Sequence, residues 1–276
     1  MPDFLLDEDF EKFRKIIYDE SGIHFSSSNR SILESRLRER LKIARLDTVD
    51  SYYQLIRSNS DELKTLLDSV TTNLTRFFRN AAHMQTFEYF VIPELIKARS
   101  RERRVKIWSA GCSTGEEPYT IAMLCKELLP PDFTIEITGS DISLKSLLIG
   151  QEGFYAESRV SGIPESYLSK YFEKKDGGYR IVDSIKSLVR FDYHNLKNDS
   201  GLSNLDVVFC RNVLIYFDEA AQKASVNRFW SAMAPRSYLF IGHSESLFGM
   251  KTQFEFIKTE WACIYGKSVE NGTTRR

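Results

Sequence analysis

The sequence predicts an α/β protein: a mostly parallel, Rossmann-like sheet with helices on both faces, an all-helical domain before it and a small β-subdomain inserted into it. Three observations predict this. Apolar residues recur at helical spacing through residues 1–85, with no strand-like run among them. From there on, short apolar runs ending in polar residues alternate with helical stretches, the pattern of a parallel sheet covered on both faces. Between residues 151 and 190 that alternation breaks around an Asp-Gly-Gly turn suited to a hairpin.

The elements follow in order. "DEDFEKFRKIIYDESG" aligns Phe10, Phe13, Ile16 and Ile17 on one helical face and stops at Gly22, a C-cap glycine. "NRSILESRLRERLKIARL" repeats the pattern with Leu33, Leu37, Leu41 and Ala44. "TVDSYYQLIRSN" and "SDELKTLLDSVTTN" follow, with Ser60 as the expected N-cap of the latter. "FVIPELIKARSR" reads as a helix, "VKIWSAG" as a strand, and "EEPYTIAMLCKELL" as a helix with Pro118 in its first turn, where proline fits. "FTIEITGSD" is a second strand, ending at Asp141. "SLVRFDYHN", "LDVVFCRN" and "SYLFIGHSES" are further strands, with the helix "EAAQKASVNRFWSAMAP" between the last two. "FEFIKTEWACIYGK" adds one final strand. The expected division is a helical domain over 1–85, the sheet domain over 86–270 with its insertion at 151–190, and a polar, disordered tail over 271–276.

Composition excludes several classes. The 38 basic and 38 acidic residues cancel, so affinity for nucleic acid or a membrane surface would need a local patch. No apolar run approaches the ~20 residues of a membrane helix. The start "MPDFLLDEDFEKF" has acids where a secretory signal has basic residues. Cys112, Cys125, Cys210 and Cys263 are scattered without a CxxC pair, which argues against a metal site or disulfide framework and for reduced thiols in the cytoplasm.

The stretch richest in chemistry is "WSAGCSTGEEPY", Trp108–Tyr119, a strand-to-helix turn with two glycines and two adjacent acids. Ligands of open α/β sheets sit beyond the carboxyl ends of the strands. Gly111 and Gly115 allow close approach to the backbone, and Asp141 is placed to accept from two ribose hydroxyls. A dinucleotide and S-adenosylmethionine share that ribose logic. The turn lacks G-x-G-x-x-G, and its acids would repel a pyrophosphate but suit an ammonium and a sulfonium. The same turn also reads as a tight bend with an acidic helix start.

"TTNLTRFFRNAAHM" (71–84), "WSAGCSTGEEPYTIA" (108–122), "GSDIS" (139–143), "YHNL" (193–196) and "CRNVLIYF" (210–217) occur in this order. Together they resemble the CheR-type methyltransferases of bacterial chemotaxis, which esterify receptor glutamates, and the resemblance covers nearly the whole chain. It implies the S-adenosylmethionine-dependent methyltransferase fold, with S-adenosylhomocysteine as product and no metal. It assigns Asn73, Thr75 and Arg79 to the cofactor pocket, with Ala110, Gly111 and Glu116 at the turn and Asp141 on the ribose. Asn195 and Leu196 flank adenine, and Arg211, Asn212 and Val213 meet the methionine end. Tyr216 lies near the transferring methyl. Asn80-Ala81 departs from the Glu-Pro of many relatives and touches a helix start more than the chemistry.

The inferred chemistry needs few residues. A glutamate with a reference pKa of about 4.3 is already an anion at neutral pH, so no general base is required. Arg79 can orient that carboxylate in a bidentate fork, and Tyr216 can orient it or lie against the sulfonium. These two are the catalytic candidates; the isolated His24, His83, His194 and His243 are not. An N-methyltransferase acting on nucleic-acid bases would carry Asn/Asp-Pro-Pro-aromatic where this chain reads "CRNVLIYF", without prolines. A non-catalytic cofactor sensor or receptor-docking module is the other alternative, against which the complete set of pocket residues argues.

The expected partner is the cytoplasmic helical bundle of methyl-accepting receptors, met by the basic helix Arg30–Arg45, with Arg36 and Arg40 on its docking face. Relatives that grip a short C-terminal receptor tether have a longer loop where this chain has only "KKDGG" (Lys174–Gly178), so no tight tether binding is expected. A monomer is expected, without nucleic-acid binding or membrane insertion.

Overall fold

The computed structural model describes residues 4–71 and 74–268. Asn73 and the tail expected over 271–276 lie outside them. The N-terminal domain consists of α1 (Asp7–Ser21), α2 (Arg30–Ala44), α3 (Val49–Ser58) and α4 (Ser60–Val70). Its core is the predicted stripe: Phe10, Phe13 and Ile17 of α1 pack with Leu33, Leu37 and Leu41 of α2. α1 stops at Gly22, whose φ of 77° lets its N–H bond back to the Tyr18 carbonyl. The cap of α4 is Asn59 rather than Ser60, because the Asn59 carboxamide oxygen reaches the N–H groups of both Asp61 and Glu62.

α5 (Ala81–Thr86) continues through a π turn into α6 (Ile92–Ala98). Met84, Phe87, Val91 and Leu95 of this stretch pack with Val105 and Ile107 of the sheet. By packing, therefore, the sheet domain takes in residues before 85. The chain then forms β1 (Arg104–Ala110), α7 (Glu116–Leu128), β2 (Thr134–Asp141) and α8 (Leu144–Glu152). The insertion holds β3 (Phe154–Ala156), α9 (Glu157–Val160), α10 (Glu165–Tyr171), β4 (Phe172–Lys175), β5 (Gly178–Ile181) and α11 (Asp183–Lys186). Its strands pair antiparallel in the order β3-β5-β4, with the Asp-Gly-Gly segment turning β4 into β5.

The chain returns as β6 (Val189–Tyr193), β7 (Leu205–Cys210), α12 (Glu219–Ala232), β8 (Met233–Ile241), β9 (Glu255–Lys258) and β10 (Cys263–Lys267). The main sheet runs β6-β2-β1-β7-β8-β10-β9, parallel from β6 to β8 and antiparallel through β10 and β9. The single final strand expected is thus two. The Thr259 N–H and hydroxyl both bond the Ala262 carbonyl and reverse the chain between them.

Strand alternation divides the core. Trp108, Ala110, Val208 and Cys210 face α12 and the helical domain, whereas Val105, Ile107, Val207 and Phe209 face α7, α5 and the insertion. The order reverses at β1, whose neighbours are β2 and β7, and ligands of such sheets sit at that crevice. No helix among the described residues is long and apolar enough to cross a membrane.

Candidate active site

A cleft with about 970 Å³ of empty space, open to solvent at its mouth, lies over the carboxyl ends of β1, β2 and β7. The loops after β1, β2 and β7 wall it, together with the loop after β6, the stretch before α5 and the end of α1. The first loop is the glycine turn. Gly111 leaves β1 at φ 82°, and a Cβ there would stand 2.4 Å from Cγ2 of Val213, so only glycine lets the two walls meet. The second is the end of β2. Asp141 Oδ2 accepts the Ser113 N–H (2.8 Å) and Oδ1 the Ser143 N–H (2.9 Å), and with the Ile142 N–H also on the carboxylate its acceptor capacity is not filled. Burial pushes the Asp141 carboxyl above its ordinary range, and the N–H groups of Ser143 and Ser113 pull against it.

The third loop follows β7. Arg211 is buried, donating to Glu117 Oε2 (3.0 Å) and to the Arg79 carbonyl (2.6 Å), and its burial lowers its pKa from the ordinary arginine value. Glu117 also accepts the Ser109 hydroxyl at 2.6 Å. Arg79 lines the cleft with one guanidinium nitrogen on the Leu74 carbonyl (2.6 Å). Tyr216 lines the same cleft, its carbonyl accepting the His24 N–H at 2.8 Å. That bond, a β-bridge between Ile23 and Phe217, and the Tyr18 hydroxyl on Asp218 (2.8 Å) tie the end of α1 to the β7 loop. Asn195 donates its carboxamide N–H to the Glu20 carbonyl, tying the opposite wall to the same helix end.

Most residues proposed from sequence converge here. Thr75, Arg79, Gly111, Asp141, Asn195, Leu196, Arg211, Asn212, Val213 and Tyr216 all line the cleft. Two do not. Ala110 is fully buried on the face of β1 that packs into the core shared with the helical domain. Glu116 is fully buried too, accepting from the Thr114 hydroxyl (2.7 Å) and paired with Arg159 of α9, so the acid that reaches the cleft is its neighbour Glu117. The departure at Asn80 is a helix cap, as expected, its side chain accepting the His83 N–H (3.3 Å).

Several cleft residues were not anticipated. Ser21 and Ile23 enter from α1, and His194 borders Asp141 with its ring near Trp108, its pKa lowered by burial. Behind the third wall, Glu245 accepts main-chain N–H bonds from Asn212 (3.0 Å) and Ile215 (3.2 Å). Only the polar ending of "SYLFIGHSES" hinted at that acid. Among the described residues no group of acids, histidines and cysteines is placed to hold a metal ion.

The donor set fits S-adenosylmethionine. Asp141 has acceptor capacity left for ribose hydroxyls, Glu117 gives the methionine end an acid beside the Arg211 cation, and a pyrophosphate would confront both carboxylates. Comparison with known proteins agrees. The model described as "CheR methyltransferase, all-alpha domain" matches residues 8–71, and "CheR methyltransferase, SAM binding domain" matches 73–263. Chemotaxis protein methyltransferase 2 of Vibrio cholerae is 34% identical over 98% of this chain and 98% of its own. The chemotaxis protein methyltransferase of Borreliella burgdorferi is 34% identical over 88% of this chain and 90% of its own, and that of Escherichia coli K12 is 33% identical over 91% and 88%. The chain belongs to the CheR family of S-adenosylmethionine-dependent methyltransferases.

Proposed function

We propose that this enzyme methylates glutamate side chains on the cytoplasmic helical bundle of chemotaxis receptors, giving glutamate methyl esters and S-adenosylhomocysteine for sensory adaptation. The observation that carries the reading is the meeting of Arg79 and Tyr216 in one cleft with Asp141 and the Gly111 turn. When bound, S-adenosylmethionine supplies an electrophilic methyl group on a sulfonium. The protein's residues do the rest by placement. Asp141 holds the ribose, Asn195 and Leu196 border the adenine, and Arg211, Asn212 and Val213 border the methionine end. Arg79 has no ion-pair partner among the described residues, which favours an orienting role for its guanidinium over a structural one. A planar fork fits a carboxylate, and Tyr216 lines the same cleft from the loop after β7. The acceptor is an anion already at neutral pH, so alignment is the main demand, and alignment can supply up to about 7–11 kcal/mol.

The partner reading is narrowed by α2. Leu33, Leu37 and Leu41 are buried as expected, but not every cation on this helix faces out. Arg40 forms a largely buried pair with Glu62 (2.6 Å), and Arg30 is bonded to Asp7 and the Leu5 carbonyl. Arg40 therefore serves the domain core and not docking, contrary to its expected place on the docking face. Arg38 and Lys42 are exposed at i and i+4 on α2, and Arg45 is exposed just past its end, cations that suit an acidic helical bundle. The enzyme acts in the cytoplasm on this reading.

Tritium-labelled methyl transfer from S-adenosylmethionine to a receptor cytoplasmic fragment tests it. Label should enter the wild-type fragment and not one whose bundle glutamates are replaced by alanine. Label in both would rule out glutamate as the acceptor.

A further inference from the structure

We propose that Glu245, in the turn after β8, is a positioning residue that sets the methyl-transfer wall of the cleft; this rests on the reading of the cleft given above. β7 ends at Cys210, so the strand ladder does not hold the loop that carries Asn212, Val213 and Tyr216. The Glu245 carboxylate holds its near end, while the His24 N–H on the Tyr216 carbonyl and the Ile23–Phe217 bridge hold its far end. Glu245 Oε2 accepts the N–H groups of Asn212 (3.0 Å) and Gly242, and its Oε1 accepts that of Ile215 (3.2 Å). These bonds hold Asn212 at φ 60°, in the left-handed region, and fix the start of the 3₁₀ turn Leu214–Tyr216. Gly242 is glycine because of the same contact. A Cβ there would lie 2.6 Å from Oε2 and 2.9 Å from the Asn212 nitrogen. Glu245 does not itself line the cleft, so its influence passes through the loop.

Three N–H groups converging on one side chain call for a group that only accepts, and an ionised carboxylate is that group. A carboxamide of the same shape keeps one acceptor oxygen and turns an NH₂ toward at least one N–H. Two of the three bonds are at Oε2, so the remaining oxygen of Glu245→Gln takes that position. Asn212 stays held and Ile215 loses its acceptor. The loosened part is then the first half of the turn, at Ile215 next to Tyr216, while the Arg211–Asn212 end beside the cofactor keeps its place. Turnover and cofactor affinity should separate.

The test compares Glu245→Gln, Glu245→Asp and Gly242→Ala in the full chain, by calorimetry with S-adenosylhomocysteine, by methyl transfer at saturating cofactor, and by amide NMR. For Glu245→Gln, kcat should fall about 10–100-fold while cofactor Kd moves less than about threefold, since a displacement of order 1 Å is enough for such a loss. The Ile215 amide proton should shift upfield. Glu245→Asp, which keeps the charge, should recover part of the lost turnover, and Gly242→Ala should reproduce the loss of kcat. Unchanged kcat in Glu245→Gln, or equal losses of kcat and affinity, would overturn the proposal. Should that variant not fold, wild-type amide shifts decide: Asn212, Ile215 and Gly242 should all be displaced downfield, and ordinary shifts at these three would overturn it. A wild-type protein that binds no S-adenosylhomocysteine would instead contradict the reading of the cleft, which the amide shifts do not depend on.

Discussion

Arg211 in the cleft and Arg38 on α2 both bond a glutamate, and the shorter bond is the less consequential one. Arg38 reaches Glu34 at 2.6 Å with its side chain 55% exposed; Arg211 reaches Glu117 at 3.0 Å with its side chain 3% exposed. Exposed pairs at i, i+4 are screened by water and salt and contribute little. A pair with its arginine buried has little water to replace a lost partner, so its geometry is held and breaking it is costly. The difference divides the molecule's labour. The cleft uses charge to hold atoms in place, and α2 leaves its charge in solvent, where the proposed partner would meet it.

The largest effect expected from this contrast comes from breaking the buried pair. Arg211→Met leaves Glu117, half-buried on the cleft wall, with only the Ser109 hydroxyl as its protein partner, and should cost more in denaturant unfolding than any exposed-pair variant, up to about 3–5 kcal/mol. A loss as small as that of an exposed-pair variant would erase the contrast. Next is Asp141→Ala, which on the proposed reading removes a charged acceptor from two ribose hydroxyls and should cost about 1.5–3 kcal/mol in S-adenosylhomocysteine affinity by calorimetry. Unchanged affinity would remove Asp141 from the ribose. Arg79→Lys keeps the charge without the planar fork, so turnover should fall further than cofactor affinity; equal losses would count against an orienting role. The smallest intrinsic effect is on α2. Reversing Arg38 and Lys42 to Glu should raise receptor KM and leave cofactor affinity alone, and the wild-type rate at limiting receptor should fall as salt rises. Normal methylation by this double variant at low salt would move the docking surface elsewhere.

How legible each part was in the sequence follows from how local its cause is. The β1 turn, Asp141 and the Asp-Gly-Gly hairpin are written in neighbouring residues, through strand ends and glycines, and could be read directly. The choice between Glu116 and Glu117 could not. Adjacent helical side chains point roughly 100° apart, and which one meets the cleft depends on the helix beginning at Glu116 and on Arg159 arriving from the insertion to take it. Ala110 is turned from the cleft for a similar reason, since strand alternation points its side chain into the core. Ser21, Ile23 and Glu245 come from segments distant in sequence, and only the topology brings the end of α1 and the turn after β8 to the same loop. On α2 the four-residue spacing of leucines was plain, but the capture of Arg40 depends on Glu62 in α4.

The central claim is that the cleft delivers a methyl group to a carboxylate, and the bond formed tests it most directly. Receptor fragment labelled from tritiated S-adenosylmethionine should release its label as volatile methanol on brief treatment with alkali, because a carboxylate methyl ester hydrolyses there. Label that survives alkali would sit on nitrogen or carbon, and would contradict an ester-forming role for Arg79 and Tyr216.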